Sequence, residues 1–353
     1  MQRLIAFAAV LLVCVALRGT AQTGPKVLLL YDMEGVSGAV RPQDVNFGSD
    51  TYAATRASLT DDVNAAIRGL LKAGAREVVL TDGHGSGNPD PDYLIDRLPP
   101  GARFEIRSEP YDPYLDAMDD TYDAMVAVAM HGRAGGRAFL AHTYNGHTRW
   151  QMGTHDMNES MLVAASFSRF DVPLILVTGD DVLRGEIAAF SPDTEYVTVK
   201  RAKSVEEAEP RPREEVSREI EAAAVRAVGK LKNIAPWRPR ELQVGEFENR
   251  FGYVLPEQAG VAIAFPGAYS IDNKTIGLRA RSFVEAYQAF RALAGFTGLV
   301  GSSLMLRWLR ETPGGQETFR TLQQRLPTRT DRTFAPTGPK VEALGGLGKH
   351  GVK

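Results

Sequence analysis

Short runs that are almost wholly apolar alternate along this chain with longer stretches in which apolar residues recur every three or four positions. Residues 26–31 (KVLLLY), 77–80, 124–130 and 172–181 (VPLILVTGDD) are of the first kind, and 104–106 is a shorter candidate. Such runs fit strands buried on both faces, as in parallel sheets. Between them, residues 53–73 carry Leu59, Val63, Ile67 and Leu70 on one stripe and stop at Gly74. Residues 158–167 read as a second helix. Strand–helix–strand alternation predicts an α/β fold, with a central, largely parallel sheet flanked by helices over residues 22–200.

Past residue 200 the pattern changes. Residues 203–230 are rich in Glu and Arg and read as a helix with a solvated face, its first part broken by Pro210 and Pro212. Residues 241–281 look strand-rich, in "LQVGEFEN" and "GVAIAFPGAYSIDNKTIGLRA", and 282–293 form a helix with Phe283, Ala286, Tyr287 and Phe290 on one face. Residues 201–325 are therefore expected to be a smaller portion, helical and then strand-rich. Residues 326–353, rich in Pro, Gly, Thr and Lys, read as a disordered tail.

The first residues change the picture of where the protein works. Arg3 precedes an uncharged apolar stretch, residues 4–17, and Gly19-Thr20-Ala21 supplies small residues at the positions a signal peptidase reads. Residues 1–21 match a signal peptide, which predicts export to a periplasmic or extracellular compartment. The stretch is shorter than the roughly 20 residues of a spanning helix, and no later run is expected to span. The single cysteine, Cys14, would leave with the signal segment, so a disulfide scaffold, a cysteine-zinc site and a thiol enzyme are excluded. A formal net charge of −2 with interspersed signs gives no nucleic-acid footprint.

Candidate chemistry collects where the strands end. "VLLLYDMEGVSG" (27–38) closes a hydrophobic strand with two carboxylates, Asp32 and Glu34, one residue apart. At i and i+2 they share a face, and they repel unless a cation lies between them. The next strands end in "TDGHGSGN", with Asp82 and His84, in "HGRAGG", with His131, and in Asp180-Asp181. Ligands of open parallel sheets bind at these carboxyl ends. Five of the six histidines, His84, His131, His142, His147 and His155, fall in this part of the chain. Carboxylates and imidazoles without thiols suit Zn²⁺, with Mn²⁺ or Co²⁺ as alternatives. Asp32 between two ions would explain the paired charges. Asp82 reads as an imidazole-orienting or turn residue, Asp180 and Asp181 as helix caps, and His147 and His155 as rim residues.

The motifs "YDMEGVSG", "TDGHG", "AMHGRAG" followed by "LAHTY", "NESMLVAASF", "DVPLILVTGDD" and "SFVEAYQAFRAL" together resemble the DppA-type D-aminopeptidases, a family of binuclear zinc metallopeptidases. The resemblance runs in order from Lys26 to Leu293. It implies two Zn²⁺ per subunit bridged by Asp32, with Glu34 and His84 completing one site and His131 and Glu159 the other. It also implies that His142 is catalytic, that short peptides with an N-terminal D-residue are the substrates, and that subunits assemble into a ten-subunit double ring. The chain departs from the family in its signal segment and tail, in "TYNGHTRWQMGTHDMN", and in having Asn158 where a glycine is common.

The expectation is an exported binuclear zinc aminopeptidase. Two rivals use the same features. An amidase or phosphoesterase would employ the same ligand types, and a non-enzymatic exported metal- or solute-binding protein would share the signal segment and the α/β alternation. Metal stoichiometry and a substrate panel separate the three.

Overall fold

The computed structural model describes residues 23–105 and 112–325. The expected signal peptide (1–21), the end of the short strand at Ile106 and the expected tail (326–353) lie outside the described residues. The larger sheet has the order β3-β2-β1-β4-β7-β8-β9: β1 Lys26–Tyr31, β2 Glu77–Asp82, β3 Ala102–Glu105, β4 Ala124–Val128, β7 Leu174–Asp180, β8 Glu195–Ala202 and β9 Ala208–Pro210. All neighbours pair in parallel except β8 and β9. Alternate residues of β1 enter two different cores, as the two-residue period of a strand requires. Val27, Leu29 and Tyr31 pack on one face with Leu59, Val63 and Ile67 of α1 (Tyr52–Lys72) and Val216, Ile220 and Ala223 of α4 (Arg213–Lys230). Leu28 and Leu30 pack on the other face with Met161 and Leu162 of α2 (Glu159–Phe167). Each such apolar side chain contributes roughly 1.5–3 kcal/mol of burial.

The smaller sheet is antiparallel, in the order β11-β12-β10-β5-β6. It joins β10 Phe247–Tyr253, β11 Tyr269–Ser270 and β12 Thr275–Ala280 to β5 Thr148–Met152 and β6 His155–Asp156. The segment that fits the family motifs poorly is thus a hairpin of this sheet. Trp150 in β5 explains why it folds there. Its ring lies 4.9 Å from that of Phe290 and 5.9 Å from that of Phe283, and its Nε1 donates to Asn249 Oδ1 at 2.9 Å. Both phenylalanines belong to α6 (Phe283–Glu311), which covers the sheet.

Four expectations need correction. Pro210 does not break a helix; it closes β9, an edge strand, where a missing N–H is tolerated. The charged helix is not merely solvated, because Val216, Ile220, Ala223, Ala224 and Ala227 are buried against the sheet and α1. Within the strand-rich stretch, residues read as strand form α5 (Pro256–Ala262). Finally, α6 does not stop at Leu293 but runs for 29 residues, and among the described residues it is the one helix long and apolar enough to cross a membrane by length and composition. Its first turns are core: Phe283, Ala286, Tyr287, Phe290 and Leu293 are buried.

Candidate metal centre

The carboxyl ends of three adjacent strands, β2, β1 and β4, supply His84, then Asp32 and Glu34, then His131. Past Tyr31 the chain keeps hold of β4 through Asp32 N–H to Val128 O (2.9 Å) and Gly35 N–H to Ala129 O (2.7 Å). Only glycine fits at position 35, since a Cβ there would lie 2.1 Å from Met130 O. On the other side, Ala129 takes the left-handed conformation (φ 63°) and turns the chain into His131. Leu140 (φ 51°) and Tyr144 (φ 64°) do the same on either side of His142. For residues other than glycine this conformation costs roughly 1–2 kcal/mol, and among the described residues three of its four instances flank this site. Glu159 arrives in the first turn of α2, whose N-cap Asn158 accepts the Met161 N–H at 2.8 Å. The Asn158 side chain also donates to Glu186 Oε2 at 2.8 Å, two contacts that a glycine would not make.

The two oxygens of Asp32 face different imidazoles. Oδ1 lies 3.0 Å from His84 Nδ1 and Oδ2 lies 3.3 Å from His131 Nε2. Glu34 Oε2 is 3.2 Å from the same His84 nitrogen, and Glu159 Oε1 is 3.3 Å from the same His131 nitrogen. His142 stacks on His131, ring centroids 4.0 Å apart. Its Nε2 lies 4.0 Å from Glu34 Oε1 and 3.8 Å from Glu159 Oε1. Asp32, Glu34, His131 and Glu159 are buried, while the His142 side chain is 24% exposed and opens the cluster to solvent.

Each imidazole has one nitrogen against a backbone carbonyl: His84 Nε2 at Val45 O (3.3 Å), His131 Nδ1 at Gly132 O (3.0 Å) and His142 Nδ1 at Leu140 O (2.7 Å). A carbonyl only accepts, so those nitrogens carry the hydrogen and the others turn their lone pairs toward the carboxylates. Lone pairs facing carboxylate oxygens require positive charge between them. The protonation equilibria express the same demand. Burial lowers the pKa of His84 and of His131, but the Glu34 charge at one and the Glu159 charge at the other outweigh it and hold both well above the ordinary value. Burial raises Glu34 and Glu159, but the His84 charge pulls the first well below its ordinary value and the His131 charge lowers the second. Glu34 Oε2 and His131 Nε2 are buried without an aligned hydrogen bond, although both lie within ion-pair distance of opposite partners. Buried polar atoms left so are uncommon, and here they converge. The donor set therefore fits zinc.

Ligand atoms of Asp32, Glu34 and His131, and separately of His131, His142 and Glu159, lie within 4.8 Å of one another. All six residues singled out in the sequence come together. The grouping differs in three respects from that implied by the resemblance: His131 belongs to both clusters, His84 to neither, and His142 lies 3.8 Å from Glu159 Oε1. His147 and His155 lie elsewhere, His147 Nε2 on Ala294 O and His155 beside Glu241 and Trp237. Asp82, pushed up to about 6 by burial and then by Asp92, accepts the His84 backbone N–H and so acts as a turn residue. Asp180 caps α3 (Asp181–Phe190).

Sequence reading missed the groups that hold Glu159. Tyr114 donates its hydroxyl to Oε2, and the Tyr144 N–H donates to Oε1 at 2.6 Å. Tyr114 is tied in turn to Asp112, which accepts its N–H and also meets Tyr287 and Arg291 of α6. No local signal marks residues 112–114, because their partners lie far off in the chain.

Residues 26–292 match the family model described as D-aminopeptidase. A D-aminopeptidase of Bacillus subtilis (strain 168) is 27% identical over 271 residues, covering 75% of this chain and 94% of that protein. Among solved structures, the Zn-dependent D-aminopeptidase DppA from Bacillus subtilis, described as a self-compartmentalizing protease, is similar with a TM-score of 0.71 and 23% identity, over 77% of this chain and 97% of that one.

Proposed function

The chain belongs to the D-aminopeptidase family, and from that premise we propose that it is an exported two-zinc aminopeptidase that removes an N-terminal D-residue from short peptides. The observation that carries the metal count is Asp32, whose two oxygens each face a different imidazole, as a bridging carboxylate needs. Asp32, Glu34 and His84 would hold one ion, and Asp32, His131 and Glu159 the other. The description of the solved relative as Zn-dependent supports zinc. When bound, the ions supply Lewis-acid polarisation of the scissile carbonyl and make water more acidic.

The chain's own residues do the rest. His142, solvent-accessible and with Nδ1 engaged by Leu140 O, presents Nε2 between the two glutamates. There it can accept a proton from attacking water and return it to the departing amine, the usual assignment for a general base turned acid. Its contact with His131 keeps the ring from rotating away. The signal-like residues 1–21 support export, and D-residue peptides from cell-wall turnover would suit that location. The description of the solved relative as self-compartmentalizing supports an assembly of identical subunits, a ten-subunit ring on the resemblance.

The test is zinc content per chain, measured with turnover of D-alanyl, L-alanyl and N-acetylated peptides. Two ions per chain, preference for the D-alanyl peptide and inactivity on the acetylated one are expected. Equal cleavage of the acetylated peptide would convert the reading to an amidase or endopeptidase. Mass spectrometry of protein from its native host should find Gln22 at the N-terminus, and light scattering should report the subunit number.

A further inference from the structure

Lys200, on β8, is wholly buried, and it is part of no catalytic pattern. Its ammonium donates to three backbone carbonyls, those of Glu34, Val36 (2.9 Å) and Ala39 (2.7 Å). An ammonium has three donors and no acceptor, so these bonds use all of them. The Phe139 ring lies 4.4 Å from the nitrogen. Every one of the three bonds goes to the turn that follows Asp32, and none goes to a strand or helix. From the opposite direction, Asp62 of α1 accepts the Ser37 N–H at 2.8 Å and the Ser37 hydroxyl at 2.9 Å. Asp62 is buried as well. A cation thus grips the carbonyls of the turn and a carboxylate grips its amide.

Burying either charge is unfavourable. Burial pushes Lys200 down to about 7 and Asp62 up to about 6. A lysine kept only to fill space between sheet and loop would be better replaced by an apolar residue. The pairing has a use if the turn itself must be held, because residues 34–39 have no sheet or helix ladder of their own and yet carry a ligand.

We propose that Lys200 and Asp62 are positioning residues, a two-sided clamp on residues 34–39 that aims the Glu34 carboxylate at the metal shared with Asp32 and His84. The inference rests on the two-zinc reading above. Neither residue touches the site's ligand atoms; Lys200 acts through main-chain carbonyls, and Asp62 through both the amide and the hydroxyl of Ser37.

The test uses the full chain as wild type, Lys200→Met, Lys200→Gln and Ser37→Ala. Each is stripped of metal and titrated with zinc against a chelator, and with Co²⁺ while its absorption spectrum is followed. Met and Gln match in length, but only Gln keeps N–H donors, so a packing role predicts equal effects and a clamp does not. In Lys200→Met one ion should weaken about 10- to 100-fold, the usual range for loss of a residue that orients a ligand, while the other is unchanged. Lys200→Gln should lose less, and Ser37→Ala should weaken the same ion by a smaller factor. Folded Lys200→Met with both ions at wild-type affinity and an unaltered Co²⁺ spectrum would overturn the clamp, as would equal losses for Met and Gln. If Lys200→Met fails to show a cooperative melt, Ser37→Ala decides, and unchanged affinity for both ions there rejects the proposal. Should the wild type hold a single zinc, the two-zinc reading falls, and the clamp is judged on whether that ion weakens.

Discussion

Glu159 stands in the first turn of α2 with a hydrogen bond on each carboxylate oxygen, from Tyr114 and from the Tyr144 amide. Glu34 stands in a loop and has no aligned partner on Oε2, while its backbone carbonyl is held by Lys200. The difference follows from where each residue sits. A helix holds its own main chain through its i→i−4 bonds, so what remains to be restrained on Glu159 is the side chain, and side-chain donors do it. A loop has no such ladder, so the protein restrains the main chain around Glu34 and leaves its carboxylate facing His84. Asp32 belongs to both sides, and His142 spans them.

The largest expected effect is at the residue the two sides share. Asp32→Ala should remove both ions, since each side loses its common oxygen donor, and turnover should fall by about 10³-fold or more, because metal polarisation contributes several kcal/mol to the transition state. Metal analysis of the folded variant checks it. Retention of one tightly bound ion would break the comparison, by making the two sides independent sites. Next comes His142→Ala. With neither side's holding groups touched, both ions should stay bound while kcat drops roughly 10²- to 10⁴-fold, the range for a proton-transferring group, and KM changes much less. Steady-state kinetics with metal content alongside decides. Loss of an ion in this variant would make His142 a ligand, as its 3.8 Å approach to Glu159 allows.

The same contrast explains what could be read from the chain. The parallel strands were visible because burial on both faces leaves runs such as LLLY and LILVTGD almost free of polar residues, and the position of ligands at their ends follows from the sheet rule. The antiparallel sheet was legible only in part: β10, β11 and β12 fall within the stretch that reads as strand-rich, and β5 and β6 do not. β5 mixes Arg149 and Gln151 with Trp150, β11 has two residues, and a short apolar run such as VAIAF does not distinguish strand from helix. In α6, Gly295, Gly298 and Gly301 follow one another in the helix without ending it, although glycine is among the weakest helix formers. The candidate ligands Asp32, Glu34 and His84 carried a local signature in D-x-E and G-H-G. Tyr114, Asp62 and Lys200 carried none, since Tyr114 meets Glu159 across 45 residues and Lys200 meets Glu34 across 166.

Tyr114→Phe sharpens the comparison on the helix side alone. It removes one hydroxyl from Glu159 and no volume of consequence, and loss of such a ligand-orienting bond typically weakens a metal about 10- to 100-fold. One ion should weaken in a zinc titration, and it should not be the ion that Lys200→Met affects. If the same ion responds to both, Glu34 and Glu159 do not serve separate ions.

The smallest effect is expected at Asn158, the N-cap of α2. Its side chain caps α2 through the Met161 N–H and donates to Glu186, so it fixes where the helix begins but does not touch Glu159. Replacing a capping Asn by Gly costs only a few tenths of a kcal/mol, and the lost bond to Glu186 adds about 1 kcal/mol. Glu186 Oε2 also accepts the Arg133 N–H at 3.1 Å, so the variant does not leave it without a partner. Asn158→Gly should therefore lower the melting temperature by about 2 °C for a chain of this size, while zinc affinity stays near wild type. Calorimetry and the zinc titration check the two parts separately. A metal loss as large as that of Tyr114→Phe would mean that the entry of α2, and not the hydroxyl of Tyr114, aims Glu159, and the side-chain account of that half of the site would fail.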